Sequence, residues 1–174
     1  MTVRTERSAR RVAPERLQRI ARRLLDASTL CALATVGPRG RAHVNTMYFA
    51  RDGYDLIWIS APDSAHSRHI RANASAAVAV YDSRQRWGRP DRGVQVFGRA
   101  RELGGRAARD AGAVYARRFR ADAEDLLARF RAYRLRPSRL KLFDERELGD
   151  ATWVVARVAR DGGLVWSATE AHRE

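Results

Sequence analysis

Cysteine and lysine each occur once in this 174-residue chain, as Cys31 and Lys141. A lone cysteine excludes an internal disulfide framework and a Cys-rich zinc site. A Schiff-base mechanism has a single candidate. No apolar run approaches the roughly 20 residues that a membrane helix needs. The N-terminal MTVRTERSARRVAPER is basic, but no apolar stretch follows it, so it does not read as a secretory signal. The chain also lacks G-x-G-x-x-G after a strand, G-x-x-x-x-G-K-[ST] and G-x-S-x-G. Neither a Rossmann site, a P-loop nor a hydrolase elbow is signalled. These absences fit a soluble, cytoplasmic protein with no membrane partner.

Positive charge is plentiful: 34 Lys+Arg against 20 Asp+Glu leave a formal +14. Nearly all of it is arginine, scattered through every segment, and alanine is abundant too, as a compositional bias would produce. A nucleic-acid binder concentrates charge in a stripe, with aromatics for stacking. The nearest approaches to that are residues 4–23 and SRQRWGRPDR at 83–92. Nucleic acid is therefore not the expected partner. Of the four histidines, His43, His66, His69 and His172, two lie three apart on a predicted helix. Without a neighbouring carboxylate or cysteine, that spacing is a poor metal signal, and no metal is expected. Nor do Asp82, Asp91 and Glu102 show the spacing of an acid/base pair.

The hydrophobic pattern predicts short strands with flanking helices. Pro14 through Asp26 is amphipathic, with Leu17, Ile20, Ala21, Leu24 and Leu25 at helical spacing and Pro14 at the first turn. TLCALATV (29–36), the turn GPRG, and RAHVNTMYFA (41–50) predict a hairpin. Asp52-Gly53 turns the chain into YDLIWIS (54–60), a helix follows at about 64–73, and SAAVAVYD (75–82) is a buried strand. GVQVFGRAREL (93–103) reads as a strand whose internal Gly98 marks a bulge or a close backbone approach. Two helical segments are expected over 106–119 and 122–133, ended by Pro137, then strands at 139–144 and 152–159. The fold class is mainly β: six or seven antiparallel strands closing a small barrel, with an N-terminal helix and a helical insertion. Residues 1–13 read as a flexible basic arm, 14–160 as one domain, and 161–174 as a tail with room for one short strand.

Chemistry concentrates where the strand at 54–60 runs into the helix. Ser60, Ser64, His66, Ser67 and Arg68 form a set of donors suited to a phosphate, at a helix N-terminus that already favours negative charge. Ser60 and Ser64 have a plainer use as well, ending a strand and capping a helix. Cys31 is most simply a small core residue. Trp87 fits either a substrate cover or a dimer contact.

The order of these elements, with HVNTMYFARDGYDLIWIS, DSAHSRHIRANASAAVAV and GVQVFGRARELGG, resembles the FMN-binding split-barrel superfamily typified by pyridoxamine 5′-phosphate oxidase. Of the family segment S-x-K-x-R-N-L-x-x-N-P-x-V-A, Ser64, Arg68 and Asn73 stand at matching places and Ile70 stands for its leucine, with Ser67, His69 and Val78 in the same stretch; the V-Q-V-x-G strand is matched at Val94, Gln95, Val96 and Gly98. Asn45 with Met47-Tyr48, and Tyr115, Arg117, Arg118 and Phe119, more closely resemble a small branch of these flavoproteins. The likeness covers roughly residues 15 to 160. His66 stands where the family has a phosphate-contacting lysine, and Ala74 where it has proline. The C-terminal arginine and histidine motif of the vitamin-synthesising oxidase is not evident, so that activity is not implied.

What the resemblance implies is an FMN-dependent oxidoreductase acting on a small organic substrate, a homodimer with the cofactor at its interface and NAD(P)H as a candidate donor. The phosphate would lie against Ser60, Ser64, His66, Ser67 and Arg68. The isoalloxazine would lie against Asn45, Thr46 and Met47, with Gln95 as a further contact. Plain strand roles for Asn45, Thr46 and Gln95 remain open beside these. The alternatives on the same barrel are a deazaflavin (F420)-dependent reductase and a non-catalytic flavin- or haem-binding protein. Haem would need His43, His66 or His69 as axial ligand.

Overall fold

A computed structural model describes residues 3–173, and the chain packs as two compact units. The first comprises the N-terminal residues through Ser28, Ala79–Val96 and Ser138 onward; the second comprises Thr29–Val78 and Phe97–Pro137. The architecture is mainly antiparallel β with five α-helices among the described residues.

The first unit opens with strand β1 (Arg4–Ser8), inside the stretch expected to be a flexible basic arm. It pairs antiparallel with the last strand, β10 (Leu164–Arg173), from Arg4↔Arg173 to Ser8↔Thr169. The expected tail is therefore a ten-residue strand. β10 pairs in turn with β9 (Thr152–Val158), and β9 with the far half of β8 (Arg131–Asp144). Helix α1 (Pro14–Asp26) starts with proline, whose missing N–H costs nothing there, and buries Leu17, Ile20, Ala21, Leu24 and Leu25. Each leucine so buried contributes roughly 1.5–3 kcal/mol. On its other face, Arg19 and Arg23 reach Glu147 in the short helix α5 (Glu145–Leu148) at 3.0 and 2.9 Å. Arg23 also pairs at 2.6 Å with Asp144, the buried N-cap of α5.

The second unit is built on the hairpin β2 (Leu30–Val36) and β3 (Ala42–Tyr48), paired from Leu30↔Tyr48 to Val36↔Ala42. A 3₁₀ turn at Pro38–Gly40 joins them, with Gly40 at φ 74°. The short β4 (Ala50–Asp52) turns at Gly53, φ 60°, into β5 (Asp55–Ser60), which leads to helix α2 (Ala65–Ala72). Two strands, β6 (Ser75–Tyr81) and β7 (Arg92–Glu102), contribute to both units, as β8 does. Helices α3 (Gly105–Phe119) and α4 (Ala123–Arg129) follow, and α3 packs on β4 and β5. Ala111 of α3 is fully buried with Ile57, Leu103 and Ala132.

Two details differ from the sequence expectation. The second helix of the insertion stops at Arg129, and 131–144 is strand: Tyr133, Leu135 and Pro137 are buried and alternate with Arg134 and Arg136. Period-two burial outweighs the helical spacing that links Leu126, Leu127, Phe130 and Tyr133. Pro137 thus lies within β8 rather than ending a helix. Its position coincides with a close approach of β7, since a Cβ on Gly98 would come 2.1 Å from the Arg136 carbonyl oxygen and 2.8 Å from the Pro137 Cα. Among the described residues the strands number ten, against six or seven, because β1 and β4 are added and the tail, read with room for one short strand, is the ten-residue β10.

Candidate functional site

The β5–α2 junction lies within the second unit. Ser60 ends β5, and Ser64 is the N-cap of α2, its Oγ accepting from the Ser67 amide at 3.3 Å. The extended backbone of Ser64 and its short hydroxyl-bearing side chain are what an N-cap requires. The Ser67 hydroxyl lies 2.7 Å from Ser64 Oγ and donates to the Ala61 carbonyl at 2.9 Å. His66 turns inward: its Nε2 lies 2.9 Å from Ser60 Oγ and 3.2 Å from Ser64 Oγ. Burial, and after it the neighbouring His43 and His69, hold the His66 imidazole below its usual range, so it is neutral near pH 7. Arg68, exposed, donates from Nη1 to the Asp63 carbonyl. Ser60, Ser64, His66 and Ser67 are thus one hydrogen-bonded cluster, with Arg68 on the outer face of the same helix.

The β3 residues divide by strand alternation. Thr46 is exposed on one face with Val44 and Tyr48; Asn45 and Met47 are half-buried on the other, opposite Leu33 and Cys31 of β2. The Asn45 amide donates to the Thr46 carbonyl at 3.3 Å. Gln95 belongs to the first unit and is exposed on β7 between the buried Val94 and Val96. Apart from Thr46, the exposed face of the β2–β3 hairpin carries apolar side chains: Leu30, Val44 and Tyr48 are 47%, 64% and 55% exposed. Phe119 packs edge-on against Tyr48, ring centroids 5.6 Å apart.

Tyr133, Arg71 and Thr35 neighbour the junction and carried no site signal in the sequence. Tyr133 is fully buried, stacks on Trp58 at 5.7 Å, and donates from its hydroxyl to Glu102 at 3.1 Å. Burial is the main cause that pushes the Tyr133 phenol up, with the Ser67 hydroxyl opposing and Glu102 reinforcing. Glu102 also accepts from Arg71 of α2 at 2.9 Å, while Arg71 donates to the Pro62 carbonyl at 2.7 Å. Thr35 Oγ1 lies 3.2 Å from His69 Nδ1, and His69 packs edge-on to His43 at 5.0 Å. The Tyr-Arg-Leu-Arg-Pro alternation at 133–137 was the available clue to Tyr133. Among the described residues, no group of three histidine, cysteine or acidic side chains is arranged to hold a metal, and no helix is long and apolar enough to cross a membrane.

Comparison with known proteins gives the family. No curated protein matches the chain. A conserved hypothetical protein from Mycobacterium tuberculosis shares the fold at TM-score 0.68 and 21% identity, over 83% of this chain and 92% of that one. A haem-binding protein from Mycobacterium smegmatis matches at TM-score 0.61 and 13% identity, over 94% and 89%. An F420 reductase matches at TM-score 0.53 and 25% identity, over 67% and 92%. Residues 17–144 match the family described as pyridoxamine 5′-phosphate oxidase, a span that runs from α1 to the end of β8. The chain belongs to the pyridoxamine 5′-phosphate oxidase family and has its split-barrel fold.

Proposed function

We propose that the protein is an FMN-dependent oxidoreductase acting on a small organic substrate, working as a homodimer. The supporting observation is the β5–α2 junction, where the Ser60 and Ser64 hydroxyls meet the start of α2 and Arg68 stands exposed on the same helix. Such a junction fits a phosphate monoester: hydroxyl and amide donors at the helix N-terminus, and one lasting positive charge. In this reading Ser60 and Ser64 bind the phosphate and Arg68 supplies charge. His66 acts as a positioning residue, its neutral ring orienting both hydroxyls from beneath. The apolar face carrying Val44, Thr46 and Tyr48 provides the flat wall a flavin ring and a second copy of the chain require. Bound FMN supplies hydride transfer, which accounts for the lack of an acid/base pair of its own.

One observation favours a second reading, a deazaflavin-dependent reductase. With the family lysine replaced by a buried, neutral His66, Arg68 is left as the charged donor among the junction residues, a weak grip for FMN. A fold relative described as an F420 reductase points the same way. Titration with FMN, following fluorescence quenching and melting temperature, tests the leading reading. Quenching with a rise in melting temperature supports it, because a ligand specific for the native state stabilises that state. Absence of both, with F420 binding instead, selects the second reading. A Soret band on reconstitution selects haem.

A further inference from the structure

β7 and β8 bring four arginines together in the second unit. The Leu103 amide donates to the Ala132 carbonyl at 2.8 Å, and Gly98 abuts Arg136 and Pro137, so the two strands run antiparallel. Counting back from Leu103 and forward from Ala132 sets Arg101 opposite Arg134 and Arg99 opposite Arg136. These four residues, with Ala74 and Ala100, line a cleft of about 340 Å³. Like charges facing each other across a strand pair are destabilising, so this arrangement runs against stability unless an anion sits among them.

The cations here are poorly neutralised. Asp55, on β5, is the carboxylate paired with the set, and it is shared: its Oδ2 is 3.7 Å from Arg134 Nε and 3.8 Å from Arg136 Nε. Neither separation is a hydrogen bond. Arg134 Nε is buried and has no hydrogen-bond partner, a cost that natural structures ordinarily avoid. Burial also pushes the Asp55 carboxyl up, against the pull of Arg134 and Arg136. Arginine is the side chain whose planar fork fits phosphate oxygens in pairs. The volume suits a small ligand rather than a polymer.

We propose that Arg99, Arg101, Arg134 and Arg136 form a binding site for a small phosphorylated anion, separate from the β5–α2 junction. The ligand carries at least two negative charges, and Arg101 and Arg134 grip it from facing strands. Arg99 and Arg136 close the outer side. This site does not depend on which cofactor the protein uses.

Inorganic pyrophosphate is the probe, titrated into the full-length protein by calorimetry at constant ionic strength, beside Arg99→Gln, Arg101→Gln and Arg68→Ala. Arg99 and Arg101 are exposed, so both glutamine variants are expected to fold. The proposal expects saturable binding, weakened about tenfold by either glutamine substitution and still present in Arg68→Ala, whatever part of the wild-type heat the junction contributes. Binding that is absent, or equal in the wild type and both glutamine variants, overturns it. Binding lost only in Arg68→Ala also overturns it, because the anion then sits at the junction.

Discussion

His66 Nε2 lies 2.9 Å from Ser60 Oγ, tying the first helical turn of α2 to the last residue of β5. A ring held this way, buried and neutral, is not the flexible cation that the family lysine provides. The charge at the junction therefore comes from Arg68.

Replacing Arg68 by alanine is expected to weaken FMN about tenfold or more while leaving riboflavin nearly unchanged, the difference expected when one charged contact to phosphate is lost. Parallel fluorescence titrations of the two ligands make the comparison. An equal loss for both would show that Arg68 does not read the phosphate.

Acid should destabilise the protein through His66. Its imidazole is held below the usual value of 6.5, first by burial and then by His43 and His69. The unfolded chain therefore takes up a proton that the native state refuses. The stabilising contribution is complete above about pH 6.5 and is lost as pH falls from there through the lowered native value. Melting temperature measured from neutral to mildly acid pH should fall, and His66→Gln should flatten that fall. A fall of the same size in the variant would assign it to other groups.

Gly98→Ala should be among the costlier single-atom changes in the second unit. Its Cβ would meet backbone on β8, 2.1 Å from the Arg136 oxygen, where no side chain can swing aside. A loss of about 2–3 kcal/mol is expected, read as a lower urea midpoint. A midpoint within error of the wild type would mean the two strands part at little cost.

Cys31 should be inert in the native state. It is buried on β2, and burial pushes its thiol up to about 12, so almost no thiolate exists at pH 8. Reaction with a disulfide reagent should wait for unfolding. Rapid stoichiometric labelling of folded protein would contradict the burial of β2.

Much of the architecture was legible because local pattern and final environment agree. The Pro-Arg-Gly turn of the β2–β3 hairpin, the Asp52-Gly53 turn and the Ser64 cap rest on interactions within a few residues, and the α1 face and the hairpin strands follow the period of their own apolar residues. Gly98 was legible too, as a place where backbone approaches backbone. The start of α4 was legible as well, but the end of the segment 122–133 was not, because Leu126, Leu127, Phe130 and Tyr133 satisfy helical spacing, whereas β5 supplies strand partners for residues 131–135 that are distant in sequence. β1 failed for the same reason, since its hydrogen-bond partners lie in β10, more than 160 residues away in the register Arg4↔Arg173.

By itself the sequence determined that serine, histidine and arginine gather at the end of β5, since those positions are adjacent along the chain and the cap chemistry is local. Only tertiary structure decided what each does. It turned His66 inward against Ser60, where loss of water removes its charge, and left Arg68 outside. It also set Arg101 against Arg134 and Arg99 against Arg136, which no local pattern encodes, because cross-strand register is fixed by packing between segments that are remote in the chain.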